Sequence, residues 1–126
     1  MNPLEEILDI TLDIDELYYN IGKHNKRRML LVKSLLPYSI GDDIFILNQR
    51  HEGWFRLEDI CHVESRMVKK DLIIIIHLGI RAIGKKRTSI GEFIIVRTYL
   101  NRDMPLNVYD NALILEVRKN GDRQNG

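Results

Sequence analysis

His77, Arg97 and Tyr99 form the most reaction-like set of side chains in this sequence. Metal-free cleavage of RNA needs a proton donor or acceptor, a cation for the phosphorane and often a Tyr or Thr that orients the phosphate. Arg97 and Tyr99 share one face of a predicted strand by parity. His77 falls on the preceding predicted strand, with Lys86 or Arg87 near it. It also sits inside an apolar run, where a partly buried structural histidine is the plainer expectation. A ribonuclease-like toxin is therefore one function to weigh, supported otherwise only by analogy with small toxins that place a helical segment before an antiparallel sheet.

A second constellation is cationic. Lys69, Lys70, Arg81, Lys85, Lys86, Arg87, Arg97 and Arg102 fall on predicted turns and strand ends, and Lys23, Lys26, Arg27 and Arg28 cluster further upstream. Nucleic-acid affinity grows with the number of phosphates neutralised along one surface. Trp54, Phe55, Tyr99 and Tyr109 are candidates for stacking on bases. These residues make DNA or RNA an expected partner if the cations converge.

Other patterns point to less. Asp9, Asp13 and Asp15 would share a face only on a strand, and no glycine-turned loop follows them, so no metal site is expected. Gly79 to Gly84 lacks the Gly-Lys-Ser/Thr that a phosphate-binding loop requires. Cys61 and His62 are adjacent, which turns them to opposite sides of a strand. Arg87-Thr88-Ser89 is a short string that could accept a phosphate group. No cofactor motif is present.

Leu57-Glu58-Asp59-Ile60 with Val63-Glu64, followed by Arg97-Thr98-Tyr99-Leu100-Asn101, resembles the two most recognisable stretches of LytTR-type DNA-binding domains. Those are β-rich transcription-regulator domains that contact DNA through loops and strand ends. The resemblance implies that Arg97 and Asn101 touch DNA.

The elements that must position these residues divide the chain in two. Asn2-Pro3-Leu4-Glu5 is a helix start: Asn2 can cap, Pro3 suits the first position, and Glu5 sits at the capping-box position. Ile7, Ile10, Ile14, Leu17 and Ile21 then recur at alternating spacings of three and four, one stripe about two heptads long. Residues 8–15 also alternate strictly, which is a strand signal, but the cap and the longer stripe favour helix. A break is expected from Gly22 to Lys26, with helix resuming from Arg27 to Leu36 and ending at Pro37. One bent helix or a helical hairpin would satisfy this pattern.

From Ile40 onward the punctuation becomes that of strands. Ile44–Leu47 and Trp54–Leu57 flank a turn; Leu57–Val63 reads as either a helical turn or a strand. Leu72–Ile80, Phe93–Leu100 and Ala112–Val117 read as strands, with Gly84 to Arg87 as a basic turn. The consecutive isoleucines Ile73 to Ile76 imply burial on both faces. The expected fold is α+β: a helical segment packed on an antiparallel sheet of about five strands, or a small barrel. The expected organisation is an acidic-then-basic helical arm over 1–37, a β domain over 38–119 and a polar tail over 120–126.

Composition sets the outer bounds. With 126 residues, 44% hydrophobic and 29% charged, the chain suits one ordinary globular domain. A single cysteine leaves no internal disulfide, which suits a reducing, cytoplasmic setting. No apolar run is long enough for a membrane helix. The net charge of +1 hides a partition: residues 1–22 hold six acids and no Lys or Arg, and the remainder carries a net of +7. These features favour a small non-enzymatic nucleic-acid-binding or regulatory module. The alternatives are an assembly subunit that forms a homo-oligomer or joins a larger particle through its Ile-rich helix or sheet edge, and the ribonuclease-like toxin.

Overall fold

A computed structural model describes residues 2–84, 90–102 and 110–121 of the chain. It divides into two compact units, Met1–Ser34 and Leu35–Gly126. The class is α+β, one long N-terminal helix and an antiparallel sheet of five strands.

Helix α1 spans Pro3–Leu35. Its start follows the sequence signals: Asn2 Oδ1 accepts the Leu4 N–H at 2.9 Å, and the Asn2 carbonyl accepts the N–H groups of Glu5 and Glu6. Glu5 and Glu6 lie in the first turn and Lys33 in the last, the arrangement the helix dipole favours. The expected break at Gly22 does not occur, which removes the helical hairpin. Glycine costs a helix about 1 kcal/mol relative to alanine. Unlike proline, however, it takes away no hydrogen-bond donor, so Gly22 to Lys26 continues the ladder. The helix stops at Leu35, just before Leu36, the residue whose helical conformation Pro37 disfavours.

The second unit is an open sheet of order β4-β3-β2-β1-β5, with β1 at Asp43–Leu47, β2 at Glu52–Val68, β3 at Asp71–Ile83, β4 at Ile90–Tyr99 and β5 at Leu113–Arg118. Every neighbouring pair is antiparallel. Asn48 closes the β1–β2 turn, its Oδ1 accepting the N–H groups of Arg50 and His51. A two-residue turn, Lys69-Lys70, joins β2 to β3 where Val68 pairs with Asp71.

Two bulges shape β2. The ladder to β3 skips Glu58 and Cys61, so Leu57, Ile60 and Val63 all point to one face although they are three residues apart. Opposite them lie Ile80, Leu78 and Ile76. With Ile44, Ile46 and Val96 these side chains form the aliphatic core. Ile73 and Ile75 are buried on the other face of β3, so the isoleucine run is covered on both sides. On the outer edge of β4, Arg97 donates its N–H to the Asp110 carbonyl and accepts from Ala112 N–H, forming a short parallel bridge to Asn111. Ala112 leads directly into β5, so one short segment touches β4 and then feeds the opposite edge of the sheet.

Candidate functional site

The ladder places His77 of β3 opposite both His62 of β2 and Arg97 of β4. Tyr99 lies two residues beyond Arg97 on the same face, so the three residues of the reaction-like set do share one surface. The rings of His62 and His77 are 5.3 Å apart, and His62 Nε2 lies 3.5 Å from Glu64 Oε1. Burial holds His77 below the ordinary histidine range, with His62 and Arg97 acting in the same direction and Glu64 and Asp110 opposing. Glu64 shows the reverse balance. Burial pushes its carboxyl up, but Arg66 and the two imidazoles outweigh that and hold it below the carboxylate range. A neutral His77 can accept a proton, but its Nε2 is shut off from solvent and has no hydrogen-bond partner among the described residues. The cation beside it is engaged as well: Arg97 Nη2 donates to Asp110 Oδ1 at 2.9 Å.

The cationic set separates into three groups. Arg81 is neutralised by Glu58 through a 2.8 Å bond and lies over the Phe93 ring. Arg97 is held by Asp110. Lys85, Lys86 and Arg87 lie outside the described residues, as does Tyr109. Lys69, Lys70 and Arg102 are brought together: with Asn101 and Asp71 they line a groove of ≈ 620 Å³ at the β2–β3 turn end of the sheet. All three cations are exposed. Lys69 has a φ of 57°, a left-handed conformation that a two-residue hairpin turn ordinarily assigns to glycine.

Asn101 has a role that its residue type did not announce. Its Nδ2 donates to the Leu72 carbonyl at 2.6 Å and its Oδ1 accepts the Ile74 N–H at 3.2 Å. The side chain thus continues the β3–β4 ladder past Tyr99 and forms one wall of the groove. Of the proposed stacking aromatics, Phe55 is buried in the core. Trp54 is already covered, with the Arg118 guanidinium 3.6 Å from its ring centroid and Phe45 edge-on at 5.4 Å. Tyr99 lines a separate groove of ≈ 660 Å³ with Tyr38 and residues of β5.

The third candidate surface is apolar. Ile7, Ile10, Ile14, Leu17 and Ile21 are between 44% and 63% exposed along α1. Sequence periodicity found this stripe but could not show that it is uncovered.

Among the described residues no group of three or more His, Cys, Asp or Glu could hold a metal ion, and no helix is long and apolar enough to cross a membrane. Comparison with protein-family models, with curated proteins and with solved structures returns no match. The likeness to LytTR-type domains therefore extends no further than the residues that carry it.

Proposed function

We propose that this chain is a structural or assembly module that pairs with a second copy through α1, leaving the β unit as the body it carries. The observation that carries the reading is the exposed stripe on an uninterrupted 33-residue helix. Most helical stability in proteins comes from packing an amphipathic face, not from propensity. A two-heptad row of Ile and Leu at three-four spacing fits a coiled-coil seam. The competing cationic surface is smaller than the sequence allowed, because Arg81 and Arg97 each have a carboxylate partner. Sedimentation equilibrium of the full chain over a hundredfold concentration range tests the reading. A dimer that dissociates in the Ile14→Asp/Leu17→Asp variant is expected, and a wild-type monomer throughout that range ends it.

A second reading rests on Lys69, Lys70 and Arg102 around one groove: contact with nucleic acid at the β2–β3 turn. Three neutralised phosphates give a log-log salt slope of about −2.7 on duplex DNA, so affinity for a short duplex falls about 40-fold between 50 and 200 mM salt. Unchanged binding across that range, or none at the lower salt, removes it.

A further inference from the structure

We infer that the two helices of the pair run antiparallel. The inference rests on the assembly reading above and adds the geometry of the partner. It follows from how charge is laid out along an unbroken helix. The first half of α1 carries Glu5, Glu6, Asp9, Asp13, Asp15 and Glu16 and no base; the second half carries Lys23, Lys26, Arg27, Arg28 and Lys33 and no acid. In a parallel pair in register, each acid lies beside the partner's acids and each base beside its bases, along the whole length. Turning one helix end for end sets the acidic half of each copy against the basic half of the other. Like charges side by side are unfavourable and opposite charges favourable by similar amounts, so the two arrangements differ in sign over the outer parts of the contact, although Asp15 and Glu16 face acids at the centre of either pair.

The seam agrees with the charges. Continuing the three-four spacing beyond Ile21 brings His24 and Arg28 onto the stripe before Leu31 and Leu35 return. A parallel pair would stack Arg28 on Arg28 and His24 on His24 inside the contact. An antiparallel pair centred between Ile14 and Leu17 sets four of the five apolar residues against one another, Ile14 on Leu17 of the second copy and Ile10 on Ile21, with Ile7 on His24 at each end of the seam. Arg28 then falls past the apolar overlap, beside the acidic start of the other helix. In this arrangement Glu6 and Arg27 flank the seam on the same side, and each meets the other's counterpart across the pair.

Distance and rescue measurements test this on the full chain. In a Cys61→Ser background, a nitroxide placed at Asn25→Cys lies about 30 Å from its copy if the helices are antiparallel, and about 10–15 Å if they are parallel. Charge reversal supplies the second readout. Glu6→Lys and Arg27→Glu should each weaken dimerisation several-fold, and the double variant should recover it. A short label distance, or no recovery in the double variant, overturns the antiparallel geometry while the dimer stands. A monomeric wild-type chain removes the assembly reading itself, so the two failures are distinguishable.

Discussion

Arg97 Nη2 donates to Asp110 Oδ1 at 2.9 Å, across the edge of the sheet where the chain passes from β4 toward β5. The bond takes up the guanidinium that pairs across the ladder with His77. Both partners are partly exposed, so the pair contributes at most about 1 kcal/mol to stability. Asp110→Asn should therefore leave the urea midpoint nearly unchanged while freeing Arg97, and retention on heparin should rise. An unchanged elution position would show that Arg97 faces no anion even when unpaired.

His77 should make the fold acid-sensitive. A histidine held below its ordinary value of 6.5 takes up its proton in the unfolded chain before it does so in the folded one as pH drops. Stability is then full above about pH 6.5 and declines as pH falls toward the folded value. Glu64 and Asp110 oppose the shift, whereas His62 and Arg97 reinforce it. Urea midpoints for wild type and His77→Gln should converge as pH falls from 7 to 5. Parallel curves would contradict this.

Lys69 offers a way to separate stability from ligand contact. Its positive φ strains a side chain that glycine would not carry. Lys69→Gly should raise stability by about 1 kcal/mol. The same change should lower the salt slope of any nucleic-acid binding by about one unit. Thermal melts read the first effect and titrations at two salt concentrations the second.

Gly22 meets no neighbouring atom where a Cβ would stand. Gly22→Ala should therefore stabilise α1 by about 1 kcal/mol, with no steric cost to offset it. Circular dichroism at 222 nm (the helix signal) should show a higher melting temperature and, if α1 carries the pair, a lower dissociation constant.

Asp42 anchors the corner that precedes β1. It accepts from the N–H groups of Ser39 and Asn120 and from Lys119 Nζ, which also reaches the Pro37 carbonyl. Burial alone would raise its carboxyl, but these bonds outweigh burial and hold it below the ordinary range. The contribution is complete above about pH 4 and fades as the pH falls through the lowered value. Asp42→Asn should cost about 2 kcal/mol at neutral pH, and the loss should shrink in acid.

The α+β class was legible in the sequence because caps, periodicity and turn residues agreed with one another. Three features were not. The run from Leu57 to Val63 looked partly helical because its inward residues are three apart, a spacing that the bulges at Glu58 and Cys61 create within a strand. Gly22 looked like a boundary because local propensity dips there, although no donor is lost. The cations looked like one surface because a linear reading shows where positive charge lies but not which carboxylates come to meet it. Glu58 and Asp110 are 23 and 13 residues from the arginines they bind. By contrast, the adjacency of His77 and Arg97 followed from strand order and parity alone.

A helix of 33 residues is about 50 Å long. In the proposed antiparallel pair, centred between Ile14 and Leu17, the two copies of Leu35 would stand about 60 Å apart along the axis.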